Sequence, residues 1–271
     1  MKGRVLIIAG SDSGGGAGIQ ADIKTVTMLD AFAATAITAL TAQNTEGVHG
    51  VLPIDPAFIR QQMEVVLDDI GADAIKTGML HDTAVIETVA AVLAERAPTI
   101  PLVLDPVMVA KGGAPLIRAD AIDALKTVLA PRAAVLTPNL PEAEILCGRT
   151  IGDVGGMREA ARALLALGCR AVLLKGGHLD GDTIHDVLAT ESGFTEWTSP
   201  RIDSRHTHGT GCTLASAIAA GLAQGMAVAA AIERARDYVQ RAIDSAPGLG
   251  RGHGPLDHAH PLRGRFPIAL T

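Results

Sequence analysis

His208-Gly209-Thr210-Gly211-Cys212-Thr213 runs directly into Leu214-Ala215-Ser216-Ala217-Ile218-Ala219-Ala220. Two glycines bracket Thr210, and no proline interrupts the chain before Pro247. The pattern predicts a tight loop that opens a helix. Glycine permits backbone conformations and close approaches that a side chain forbids. The first amides of a helix lack internal partners, and the macrodipole adds partial positive charge there. Such an end suits phosphate. Cys212 stands at that end, where a thiol's pKa is expected to fall and its thiolate to become available. The same residues admit a plainer reading: a glycine turn capped by Thr210, with Cys212 as a small buried apolar residue.

The rest of the chain supplies a context for that loop. Residues 4–9 (RVLIIA) form a short apolar, β-branched run, a buried strand. It ends in Gly10-Ser11-Asp12-Ser13-Gly14-Gly15-Gly16-Ala17-Gly18. This glycine loop lacks the Lys-Ser/Thr ending of a P-loop and fits the dinucleotide fingerprint poorly. Its place after a strand favours a substrate-closing loop over a solvent-exposed linker. Further strands are expected at 32–41, 72–77, 101–104, 133–137 and 170–174. Helices are expected at 19–30, from Asp55-Pro56 to about 70, and at 83–96, 119–129, 157–167 and 228–244. Residues 183–188 and 194–198 read as a small hairpin near one sheet edge. The Gly-, Pro- and His-rich tail from Pro247 reads as loop.

Strand and helix alternate, which argues for a mostly parallel sheet covered on both faces. Polar residues gather just past strand ends: Asp12, Gln43, Asp105, Asn139, Glu142 and Lys175. Open α/β sheets place ligands there. With no linker or internal repeat, residues 1–271 are expected to form one domain.

Composition narrows the partners. Net charge is −6 and aromatic residues make up only 2%. There is no basic run and few rings for stacking bases, so nucleic acid is not an expected partner. No segment approaches the ~20 uninterrupted apolar residues of a membrane span, and residues 1–9 lack a signal-peptide pattern. Three scattered cysteines indicate neither a disulfide framework nor a zinc site. A reducing cytoplasm is the expected location.

Asp105 and Glu142 are hard oxygen donors of the kind magnesium takes, together with water and substrate phosphates. Each also has an ordinary role available, Asp105 as a turn initiator and Glu142 as a first-turn helix residue. Lys175, between an apolar strand and two glycines, can neutralise a transferred phosphoryl group or serve as a surface lysine. His178, His206 and His208 read as polar loop histidines. Met79, Val107 and Met108 read as apolar packing that lines a pocket for a flat ring.

Taken together, these motifs resemble the hydroxymethylpyrimidine kinase/phosphomethylpyrimidine kinase family of thiamine biosynthesis, within the ribokinase-like superfamily. The resemblance rests on residues 9–22, Thr41-Ala42-Gln43-Asn44-Thr45, Lys76-Thr77-Gly78-Met79, Leu104-Asp105-Pro106-Val107-Met108, Thr137-Pro138-Asn139, Leu174-Lys175-Gly176-Gly177-His178, residues 208–213, and Gly252-His253-Gly254-Pro255-Leu256. It spans nearly the whole chain.

The resemblance implies a three-layer α/β/α fold with a mostly parallel central sheet and an edge hairpin. It implies transfer of the ATP γ-phosphate, with Mg²⁺, to an aminopyrimidine alcohol and then to its monophosphate. By motif, Gln43 would read the pyrimidine edge, beside Gly10, Met79 and Val107, and Asp22 would contact the substrate side. Gly209, Thr210, Gly211 and Cys212 would form the anion hole, with Cys212 as base and Lys175 beside it. Asn139, Lys175, Thr210 and Gly211 would meet the nucleotide, and Asp105 and Glu142 the metal. Edge strands and the family pattern point to a homodimer. Two alternatives remain: a pyridoxal or pyridoxine kinase of the same superfamily, and a non-catalytic ligand-binding regulator on the same fold.

Overall fold

Strand β1 (Arg4–Asp12) is buried from Val5 through Gly10, as an unbroken apolar run requires when both faces of a sheet are covered. The computed structural model describes residues 1–109, 113 and 116–263. After β1 come α1 (Gly18–Met28), β2 (Phe32–Gln43), β3 (Val48–Pro53), α2 (Pro56–Asp69), β4 (Ala74–Thr77), α3 (Thr83–Arg96) and β5 (Leu102–Leu104). Then follow α4 (Ala121–Ala124), β6 (Ala133–Leu136), α5 (Leu140–Cys147), α6 (Val154–Leu165), β7 (Ala171–Lys175), β8 (Thr183–Thr190), β9 (Gly193–Pro200), α7 (Thr210–Ala223) and α8 (Val228–Asp244).

One sheet carries these strands in the order β3-β2-β1-β4-β5-β6-β7-β8-β9. The run from β2 to β7 is parallel, and β3, β8 and β9 are antiparallel additions at the two ends. Alternation along β1 divides the core. Leu6 and Ile8 face Ile59 and Met63 of α2 and Ile86 and Leu93 of α3. Val5, Ile7 and Ala9 face Val26 of α1, Ile218 of α7 and Ile232 of α8. The result is the expected three-layer α/β/α sandwich.

Helix α7 is apolar nearly all round and is buried from Thr213 to Gly221, as a helix clamped between sheet and helix must be. Its small residues bring α8 close: a Cβ on Gly221 would lie 2.7 Å from the Cβ of Ala231.

The hairpin β8–β9 forms as expected, at a sheet edge. Three elements depart from the sequence reading. Strand β3 has Gly50 and Pro53 and is half to fully exposed along its length, so it carries no apolar alternation; only an edge position tolerates it. Helix α5 was hidden by Pro141, which sits in its first turn where the missing amide costs nothing. The helix expected over 119–129 is four α-helical residues that widen into a π turn at Leu125–Leu129 and close as a 3-10 turn at Ala130–Arg132. The tail is loop apart from a turn at His260–Leu262; the expectation for 264–271 lies outside the described residues.

Candidate active site

A cleft of about 1040 Å³ lies over the carboxyl ends of the parallel strands. It is lined by Gly10, Gln43, Met79, Val107, Asp105, Asn139, Glu142, Lys175 and residues 209–212, every residue to which the resemblance gives a site role except Asp22. At one end, under β1, β2 and β4, stand Gly10, Gln43 and Met79. A side chain at Gly10 would crowd the Met79 sulfur, 3.2 Å from the position of its Cβ. The strand order sets β8 on the far side of the sheet from β1 and β2, and there the aliphatic Ile184, Ile202 and Ile243, with Gln240, line the cleft. No Phe, Tyr or Trp lines the cleft among the described residues, so flat rings would pack on aliphatic side chains.

Between the two ends lie the charged groups. Lys175 Nζ donates to Asp105 Oδ1 at 3.1 Å, and the buried Thr137 hydroxyl donates to the same oxygen at 3.1 Å. The other oxygen, Oδ2, faces α7: a Cβ on Gly211 would lie 3.7 Å from it and 3.4 Å from Lys175 Nζ. Lys175 is therefore within contact of the loop that opens α7, and glycine at 211 leaves room for its ammonium. Burial would lower the Lys175 pKa, but Asp105 and Glu142 outweigh it and raise it.

Glu142 completes a capping box on α5. Its amide donates to Asn139 Oδ1 at 2.9 Å, and its Oε2 accepts from the Asn139 amide at 2.8 Å. The ordinary helix role is thus real, and the carboxyl still lines the cleft. Burial, reinforced by the Asp105 charge and opposed by Lys175, pushes it up to about 7. Two carboxylates beside each other in one cleft, one reluctant to ionise alone, are a donor set that fits magnesium, which keeps waters and phosphate oxygens as its remaining ligands.

The two glycine loops meet backbone to backbone. Gly209 has φ +85°, and any Cβ there would collide with the Gly16 carbonyl. Asp12 organises the first loop by accepting from the Gly14, Gly16 and Ala17 amides at 2.8, 3.1 and 2.8 Å, and so supplies the entry to α1 that Ala17 cannot cap. The second loop is joined through His208, whose Nε2 is 2.9 Å from Asp12 Oδ2 and 3.2 Å from the Gln43 amide. Thr41 Oγ1 gives its one proton to the Ser11 carbonyl. The one proton His208 Nε2 can carry goes to Asp12 Oδ2, which leaves none for Gln43.

Three corrections to the sequence reading follow. Asp22 does not touch the cleft. It is fully buried, accepting from Lys76 Nζ at 2.8 and 2.9 Å and from Ser216 Oγ at 2.7 Å. His208 is no loose loop histidine but a buried link. Cys212 is half-buried and its thiol is not acidified: burial pushes it up to about 11, with Lys76 opposing and Asp22 and Asp105 reinforcing the rise. The helix terminus is outweighed by lost hydration and two nearby carboxylates.

Sequence reasoning assigned no role to Lys76 or Thr137, and no partner to His208. A lysine inside the buried strand AIKT was the one available signal, since a fully buried ammonium requires a partner. The partners of Thr137 and His208 are 32 and 196 residues away, and nothing local announces them.

The phosphomethylpyrimidine kinase family model matches residues 12–257. The chain is 55% identical over 258 residues to the thiamine biosynthesis bifunctional protein ThiED of Geobacter sulfurreducens, covering 95% of this chain and 52% of that protein, so it spans about half that relative's length. It is 48% identical over 256 residues to the hydroxymethylpyrimidine/phosphomethylpyrimidine kinase of Bacillus subtilis, covering 94% of each. Among solved structures it is similar to an ADP complex of Bacillus subtilis pyridoxal kinase, with a TM-score of 0.89, 40% identity, and coverage of 97% of this chain and 99% of that one. A match of that extent, over a cleft built at the strand ends from the same motifs, means that the chain belongs to the phosphomethylpyrimidine kinase family.

Proposed function

We propose that the protein phosphorylates 4-amino-5-hydroxymethyl-2-methylpyrimidine with ATP, and then phosphorylates the monophosphate to the diphosphate. The observation that carries this reading is the order of groups along the cleft: Gln43 at one end, an aliphatic slot at the other, and Lys175, Asp105 and the start of α7 between them. The acceptor hydroxyl would sit near Gln43 and Cys212, and the adenine in the slot. The hydroxyl oxygen bonds to the γ-phosphorus as the bond to the ADP oxygen breaks, and the hydroxyl proton passes to the Cys212 thiolate. Lys175 and the amides of residues 209–212 hold the charge of the moving phosphoryl, the main task of a protein in this chemistry. Asp105 and Glu142 would hold magnesium, which supplies charge neutralisation on the phosphate oxygens.

In the second transfer the acceptor is a phosphate oxygen that is already anionic, so no base is needed. A second reading, pyridoxal kinase, is favoured by the similarity to the B. subtilis pyridoxal kinase. ADP release measured in parallel with the pyrimidine alcohol, its monophosphate and pyridoxal separates the two. No helix among the described residues is long and apolar enough to cross a membrane; cytoplasmic location and a homodimer complete the proposal.

A further inference from the structure

Beneath the cleft floor lies an ion pair that the reaction as written does not use. Lys76 and Asp22 are both 0% exposed. Lys76 is on β4 and Asp22 on α1, and their contact is tied to α7 by the Ser216 hydroxyl, which donates to Asp22 Oδ1 at 2.7 Å. Ser216 follows Cys212 by four residues, so the two share one face of α7 one turn apart. Lys76 is directly behind the cleft wall: Gly78 lines the cleft, and a Cβ on it would lie 3.0 Å from Lys76 Nζ. Glycine at 78 therefore lets the buried ammonium and the Ala9 methyl pack directly against the cleft wall. Two ions taken out of water are a poor way to stabilise a fold, since apolar residues of similar volume serve as well or better.

We propose that the Lys76–Asp22 pair is a positioning device for Cys212. It anchors the first turns of α7 through Ser216 and holds a fixed positive charge behind the Gly78 wall of the cleft that Cys212 lines, where it stabilises the thiolate that accepts the substrate proton. This rests on the assignment of Cys212 as base. The charged groups around the sulfur are Lys76 from β4, Asp22 from α1, Asp105 after β5 and Lys175 at the end of β7. A Gly18 backbone hydrogen bond also favours the thiolate. Lys76 favours the thiolate and Asp22 opposes it; the ammonium abuts the Gly78 wall of the cleft while Asp22 is tied back to Ser216, so Lys76 is a positioning residue acting through Cys212.

The test is iodoacetamide alkylation of Cys212 across pH ~7–10, with Cys212→Ala as the blank for Cys147 and Cys169. It compares the natural protein with the double variant Lys76→Met/Asp22→Leu, which removes both charges and leaves neither ion stranded. The expected result is a fall in the alkylation rate of roughly three- to tenfold at each pH, since each pKa unit changes the thiolate fraction about tenfold. ATP KM should stay unchanged. A folded double variant with the natural alkylation profile overturns the proposal. If the double variant does not fold, Ser216→Ala decides: kcat for the alcohol falls several-fold at constant ATP KM if α7 needs the anchor, and an unchanged kcat overturns the proposal. Alkylation needs no substrate, so a wrong acceptor assignment leaves this test intact. Full turnover in Cys212→Ala would sink the base assignment instead.

Discussion

His208 Nε2 lies 2.9 Å from Asp12 Oδ2, and this one contact joins two glycine loops 196 residues apart in the chain. Asp12 also holds three amides of its own loop. Burial alone would raise the Asp12 pKa, but His208 and the Ala17 and Gly14 amides outweigh it and hold it below the usual carboxylate range. The sign follows: this stabilisation is present above the unfolded value of ~3.9 and is lost as pH falls through the lower folded value. Asp12→Ala should loosen the loop by about 1.5–3 kcal/mol, the worth of a hydrogen bond to a charged group. Hydrogen exchange at Gly14, Gly16 and Ala17 is the readout, and unchanged protection there would mean the loop is held by other contacts.

Cys212 yields a prediction that separates the two transfers. Its thiol sits at about 11, so the thiolate is the minor form near neutrality and its fraction rises with pH. The first transfer should therefore speed up as pH rises towards that value, and Cys212→Ala should flatten the profile. That variant should slow the first transfer by ~10²–10⁴ and the second much less, because the phosphate acceptor brings no proton to remove. Equal losses in both steps would reduce Cys212 to a packing residue.

Glu142 predicts a pH-dependent metal site. Its carboxyl is held at about 7, so protons compete with magnesium below that value and cease to compete above it. The rise in Tm on adding Mg²⁺ should be larger above pH 7 than below it, and Glu142→Gln should remove the pH dependence. A magnesium effect on Tm that is flat across this range would place the metal elsewhere.

Much of this arrangement was legible in the sequence because it is local. The cleft residues named beforehand stand at strand ends, in glycine loops or, for Glu142, in the first turn of the helix after one, where an apolar run stops and polar residues begin. The exceptions depend on geometry that spacing does not encode. Asp22 lies in the first turns of α1, and only the packing of α1 against β4 and α7 decides that it faces Lys76. The pKa of Cys212 depends on burial first, and then on Lys76, Asp22 and Asp105, which three separate elements deliver. Strand β3 escaped because an exposed edge needs no hydrophobic period.

Gln43 should control the acceptor and not the nucleotide, since it closes β2, at the opposite side of the sheet from β8 and its Ile184. Gln43→Leu keeps approximate size but leaves buried polar partners unmatched, which costs about 1–3 kcal/mol, or roughly five- to 150-fold in acceptor affinity. Isothermal titration with acceptor and with ATP checks it. A parallel loss of ATP affinity would show that the pocket ends were assigned wrongly.

The central claim is that Lys175 and the start of α7 receive a phosphoryl group on its way to a pyrimidine acceptor. Single-turnover ADP release with the pyrimidine alcohol, comparing natural protein with Lys175→Ala, tests it most directly. The account predicts acceptor-dependent ADP release by the natural protein, slowed about 10²–10³-fold in the variant, with release lost on chelation and restored by Mg²⁺. Natural-rate transfer by Lys175→Ala, or ADP release that ignores the acceptor, would contradict it.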